Sequence, residues 1–157
     1  MNLMKKSLLI LGLVASTTWA MALERNTDLY NLSNGVGLKG QDPVSYFPEG
    51  GERGVRGLRR FKTPYLNVNY LFSSEENQEI FFEAPTRYEP TYGGWCAWAM
   101  SLDRLADIDP TQFTIHENRF HFFANARAKA NFDLNLLENE EKADQNWKRR
   151  SGEEPRY

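Results

Sequence analysis

From Phe113 to Phe123, apolar and polar residues alternate on both sides of Glu117-Asn118. Period-two alternation marks half-buried strands, and a short polar break within it marks a hairpin. Pairing across the break sets Ile115 opposite Phe120 and Phe113 opposite Phe122 on one apolar face, with Thr114, His116, Arg119 and His121 on the other. A lone hairpin is not stable in water, so other elements must cover this one. Residues 58–62 and 66–72 read as a second strand pair, in which Leu66, Val68 and Tyr70 alternate with Asn67 and Asn69.

Helical segments supply the cover. Asp42-Pro43 reads as an N-cap followed by a proline at the first helical position of a short helix through Phe47. Ser73 and Glu76 form a capping-box pattern that opens a helix ending before Pro85, with Ile80 and Phe81 inward. A helix is expected over 95–100, and the chain from Asn125 onward reads as helical, with Phe132, Leu134, Leu137 and Trp147 as packing residues. Residues 36–39 read as a short strand between glycines. No internal repeat is visible. The expected fold is α+β: a small antiparallel sheet with packed helices, ending in a hairpin and helices.

The first 22 residues have the layout of a secretory signal peptide. Two lysines precede an apolar run, and Ala20-Met21-Ala22 offers small residues for cleavage. The apolar run is shorter than the roughly 20 residues of a spanning helix, so no stable membrane anchor is expected after cleavage. The predicted organisation is a signal peptide over 1–22, a flexible lead-in over 23–34, one domain over 35–150 and a disordered tail over 151–157. The leader holds two of the 19 basic residues and none of the 21 acids, so its removal takes the formal charge from −2 to −4. Such a chain has no bulk attraction for nucleic acid. The location this implies is periplasmic or secreted.

The chain has one cysteine, Cys96, within Tyr92-Gly93-Gly94-Trp95-Cys96-Ala97-Trp98. No internal disulfide can form, so the core alone must hold the fold. The glycine pair allows a sharp turn into a helix whose N–H groups would favour a thiolate. Tyr92, Gly93, Gly94, Trp95 and Trp98 are the candidate walls of an aromatic pocket. Met100 lies four residues after Cys96, and a thiolate with a thioether is a soft pair suited to Cu(I). Cys96 is therefore the candidate catalytic nucleophile and, with Met100, the candidate metal ligand. It can equally be a small core residue or half of an intermolecular disulfide.

Other residues have plainer explanations. His116 and His121 share a sheet face within reach of a common metal, but Arg119 opposite His116 opposes a cation and no acid pattern completes the set, so both are expected at the surface. Asp42, Glu76 and Asp109 read as caps. Arg53, Arg56, Arg59, Arg60 and Lys62 form a basic stretch, either a solvated surface or a contact for an anionic partner or lipid headgroup.

Three stretches, "GLKGQDPVSYF", "NYLFSSEENQEIFFEAPTRYEPTYGGWCAW" and "DPTQFTIHENRFHFF...ADQNW", occur in this order from about Leu32 to Trp147. In them the chain resembles the exported YHS-domain-containing (seleno)proteins. The resemblance implies a scaffold related to short metal-binding YHS and TRASH-type modules, whose cysteines stand in "DPVC" and "YFCSxxCxxxF" stretches. The matching positions here are Ser45, Ser73 and Asn77, so the resemblance implies that the scaffold persists without its soft ligands. It also implies that Cys96 is the position at which some relatives carry selenocysteine, which suits redox or nucleophilic chemistry. The leading expectation is thus an exported binding module for a small ligand, a soft metal such as Cu(I), or a periplasmic protein. A thiol-dependent redox enzyme using Cys96 and a non-catalytic scaffold or interaction protein are the alternatives.

Overall fold

The computed structural model describes residues 25–157, so the expected signal peptide lies outside the described residues. Leu58–Tyr65 (β1) pairs antiparallel with Val68–Phe72 (β2), and Asp109–His116 (β3) with Arg119–Phe123 (β4), each pair forming its own two-stranded sheet. Around them pack Glu75–Glu83 (α1), Pro85–Tyr88 (α2), Ala97–Ser101 (α3), Ala126–Leu134 (α4) and Leu136–Ser151 (α5). The fold is α+β, with small antiparallel sheets covered by helices.

The register of the second hairpin is the one its alternation dictates: Phe113 faces Phe122, Ile115 faces Phe120 and His116 faces Arg119. Its turn residues, Glu117 and Asn118, have φ of 47° and 66°, the left-handed pair of a two-residue hairpin turn. Leu66 and Asn67 do the same in the first hairpin, at 43° and 67°. Leu66, expected within a strand, is therefore a half-exposed turn residue. Helix α1 begins one residue later than the capping box suggested, because Ser74 is the cap that accepts the Asn77 N–H. Residues 36–39 are not a strand: Val36 makes isolated bridges, and Leu38 and Lys39 adopt left-handed turn conformations.

The two hairpins belong to a repeat that the sequence hides. Every boundary of β1, β2 and α1 recurs 51 residues later in β3, β4 and α4. The helix caps Ser74 and Asn125, the hairpin turns, and the left-handed Glu52 and Asp103 keep the same spacing. Both hairpins also break register at the same place, between Leu58 and Lys62 in one and between Asp109 and Phe113 in the other. In each unit the last phenylalanine of the second strand packs on a phenylalanine of the following helix. Phe72 meets Phe81 at 5.2 Å and Phe123 meets Phe132 at 5.3 Å.

Apolar burial holds the units together. Tyr46 packs against Phe113, Phe120 and Phe122 with ring centroids 4.9–5.2 Å apart, and Phe47 meets Phe120 edge-on. Each such ring contributes about 2–3 kcal/mol by leaving water. Phe132 and Trp147 are buried as expected, whereas Leu134 and Leu137 are 78% and 70% exposed at the corner between α4 and α5.

Neither end of the described chain is loose. The Arg25 guanidinium donates both arms to the buried Glu89 carboxylate at 2.5 and 2.6 Å, and Arg156 approaches the same group at 3.5 Å. Glu153 accepts from the Asn26 backbone and the Tyr30 hydroxyl, each at 2.6 Å. The described residues of the stretches expected as a flexible lead-in and a disordered tail, from 25 and from 151 onward, thus contact each other and the core. Helix α5 ends on the left-handed Gly152, whose N–H reaches the Lys148 carbonyl and caps its arginine-rich end. No helix among the described residues is long and apolar enough to cross a membrane.

Candidate functional site

Cys96 does not sit in the first turn of a helix but caps one. Its backbone is extended, α3 starts at Ala97, and its sulfur accepts the Ala99 N–H at 3.5 Å. Its own N–H donates to the Ala106 carbonyl, and it bridges to Phe122. The residue is 1% exposed and Met100 is fully buried. Neither lines any of the four cavities described in this fold. A soft metal at this pair would need space and a further donor inside packed core, so the pair does not fit one.

The expected aromatic pocket is dispersed. The buried Tyr92 hydroxyl donates to Asp144 at 2.8 Å and accepts from Arg119 at 3.0 Å. Gly93, at φ +60°, lies where a Cβ would come 2.7 Å from the Trp147 ring, so its lack of a side chain permits the close approach. Gly94 is buried at the same turn. The Trp95 indole donates to the Leu29 carbonyl at 2.6 Å. Trp98 faces the other way, lining a shallow depression with Asn125 and Arg127. These residues surround Cys96 in sequence, but none of the four described cavities gathers them around its sulfur.

Ser45, Ser73 and Asn77 do come together. Their centre is Asp42, expected only as a cap and in fact completely buried. Asp42 Oδ1 accepts the Val44 N–H at 2.9 Å and the Ser45 N–H at 3.4 Å. Oδ2 accepts the Ser73 N–H, the Ser73 hydroxyl and the Asn77 amide at 2.8, 2.6 and 2.7 Å. The Ser45 hydroxyl donates to the Asp42 carbonyl and accepts from Val55. A metal site surrounds a cation with anionic or lone-pair donors. This cluster has the opposite polarity, with an anion ringed by N–H and O–H donors, so it does not fit a soft metal.

Asp42 and Cys96 make analogous backbone bonds in the two units, although they are 54 rather than 51 residues apart. The side chain of each accepts a backbone N–H of the short helical turn that follows it, and each donates its own N–H to a carbonyl of the loop ahead of the following hairpin, Val55 or Ala106. Those two carbonyls are themselves 51 residues apart. At the positions equivalent to Ser73 and Asn77 the second unit has Ala124 and Ala128. The second unit thus has no polar side chains at the two positions that donate to Asp42 in the first.

The sheet face shared by the histidines is covered by α5, which sequence periodicity could not show. His121 is 1% exposed, not a surface residue. Its Nε2 lies 2.7 Å from Glu140 Oε1, and His116 Nδ1 lies 3.3 Å from the same oxygen. Glu140 is thus the acid missing from the local sequence. Burial and the nearby Arg119 charge lower the His121 pKa. Burial pushes Glu140 up, but the His121 hydrogen bond and the Arg119 charge more than offset this and leave it below the ordinary carboxylate value. A neutral His121 donates Nε2–H to Glu140, leaving Nδ1 buried without a partner. Arg119 lies 3.4 Å from Glu140 and is also paired with Asp144. Among the described residues no group of three or more His, Cys, Asp or Glu side chains is arranged to hold a metal.

No protein-family model matches the chain, and neither curated proteins nor solved structures give a significant match.

Proposed function

We propose that this chain is an exported YHS-like module that has given up the metal chemistry of its short relatives and acts as a non-catalytic binding protein or scaffold. The observation that carries this is the convergence of Ser45, Ser73 and Asn77 on the Asp42 carboxylate. Ser45 and, some 30 residues later, the neighbouring pair Ser73 and Asn77, singled out by resemblance as former ligand positions, meet at one point and now satisfy a buried anion. Cys96 supports the same reading, because redox or nucleophilic chemistry needs a reachable thiolate and this sulfur is enclosed. Export rests on the sequence of residues 1–22 alone.

The test restores the soft ligands. A Ser45→Cys, Ser73→Cys, Asn77→Cys variant is titrated with Co(II), whose thiolate charge-transfer absorption reports coordination, beside the unaltered protein titrated with Co(II), Zn(II) and Cu(I). The triple variant is expected to gain one ion per chain, and the unaltered protein none. Stoichiometric uptake by the unaltered protein that is lost in Cys96→Ser would overturn the proposal in favour of a soft-metal site. A folded triple variant that binds no ion would remove the link between this cluster and a metal-binding ancestry.

A further inference from the structure

The first unit carries a cationic groove that the second lacks. Lys39, Arg56, Arg59 and Lys62 line a depression of about 380 Å³ together with the polar Ser33 and Asn34, and no carboxylate stands among its walls. Residues 53–62 hold five cations and no acid, in a chain whose formal charge is −2. Among the described residues Arg56, Arg59 and Lys62 form no ion pair, as is also true of Arg53, Arg60, Arg104 and Arg127, so their charges are not taken up within the fold; Arg25, Arg87, Arg119, Arg149, Arg150 and Arg156 are paired. Lys39 is paired with Asp107, and both side chains remain substantially exposed.

The fold does not require these charges. In the second unit the residues 51 positions after Arg56, Arg59 and Lys62 are Asp107, Pro110 and Phe113, on the same hairpin geometry. Nor are the cations on a loose loop. The Gly57 N–H donates to the Gly40 carbonyl at 2.9 Å, Gln41 bridges to Arg56, and the Asp42 N–H donates to Val55 at 2.9 Å. Gly57 approaches the Leu71 backbone so closely that an added Cβ would lie 2.4 Å from it. The backbone therefore holds like charges together, and a bound anion relieves their repulsion.

We propose that this groove binds a phosphate group carrying two or more negative charges, on a small polar body. Two guanidinium forks match the oxygen edges of a phosphate, two ammonium groups add charge, and Ser33 and Asn34 offer hydrogen bonds to the body. The phosphate can belong to a soluble ester or to a lipid headgroup. The site is separate from the Asp42 cluster and stands whether or not that cluster is related to a metal site.

The purified chain is titrated calorimetrically with pyrophosphate at low and physiological ionic strength. In parallel it is sedimented with phosphatidylcholine vesicles with and without phosphatidic acid. Binding to pyrophosphate that weakens with salt and falls about tenfold or more in Arg56→Ser/Arg59→Ser supports a soluble phosphate. Binding only to the phosphatidic acid vesicles, with the same loss in the variant, supports a headgroup. Arg149→Ser/Arg150→Ser, which removes two exposed arginines paired elsewhere, should leave binding unchanged. Thermal unfolding checks the fold of each variant, and Lys62→Ser repeats the test at a second position. Binding in neither arm, no loss in Arg56→Ser/Arg59→Ser, or an equal loss in the control pair overturns the proposal.

Discussion

Replacing Asp42 by asparagine keeps the size and shape of the side chain and exchanges one acceptor oxygen for a donor. Both oxygens of the native carboxylate are fully used. If the new NH₂ faces Ser73 and Asn77, the Ser73 hydroxyl can rotate and the Asn77 amide can flip to accept, but the Ser73 backbone N–H cannot and is left without an acceptor. If the amide turns over, the Val44 N–H is the one stranded. Ser45 suffers less, because its N–H also leans on the Asp42 carbonyl at 3.3 Å. Either orientation strands one backbone donor, which costs about 1–3 kcal/mol, and converts the surviving bonds from charged to neutral. The expected loss is about 2–4 kcal/mol, or roughly 10 °C in Tm for a domain of this size. Ser73→Ala, which removes a donor and leaves the carboxylate other partners, should cost only about 1 kcal/mol. Urea unfolding of the two single variants and the double variant measures both values and their coupling. A loss below about 0.5 kcal/mol for Asp42→Asn would refute the claim that this carboxylate organises the first unit.

Cys96 should resist thiol reagents in the native protein and react at once in urea; rapid stoichiometric labelling of the folded chain would contradict its burial. Stability should fall with acid. The unfolded chain takes up a proton at histidine near pH 6.5, while the buried His121, with its lowered pKa, resists it. The protection is therefore full above about pH 6.5 and is lost as pH drops below that value. Glu140, also lowered, adds a further loss below its ordinary value of 4.5. Tm measured from pH 7.5 to 5 should decline in the native chain and decline less in His121→Asn; equal slopes would remove His121 from the explanation. Gly93→Ala should cost about 1–3 kcal/mol by driving a methyl into the Trp147 ring and straining a positive φ, with a change in tryptophan emission. An unchanged Tm and spectrum would show that this turn has slack.

What could be read in the sequence was local. The β3–β4 register followed from alternation, and the turn at Glu117-Asn118 from its position between the two runs. The repeat is not visible in the sequence because the units share few identical residues, among them Thr63 and Thr114, Asn67 and Asn118, Phe72 and Phe123, and Phe81 and Phe132. Those residues set a turn and a strand-to-helix contact, which geometry preserves while composition drifts. Ser45, Ser73 and Asn77 were legible only as a set implied by resemblance, and Asp42 only as a cap, since nothing local marks a carboxylate as fully buried. The roles of Glu89, Glu140 and Glu153 are not legible locally, because Arg25, His121 and the Asn26 backbone, which they hold, lie 64, 19 and 127 residues away. Leu134 and Leu137 were misplaced because apolarity near a helix junction does not say which side the junction turns.

Arg25 and Arg156 meeting on Glu89 brings the two ends of the described residues together. A short linker should join the two ends with little loss, and new ends could be opened at Gly51, which is exposed and has no neighbour within reach of an added Cβ. Such a circular permutant is expected to fold with a near-native Tm, whereas simply removing residues 153–157 should not, and comparing their melting curves would show that continuity between the ends matters less than their contact.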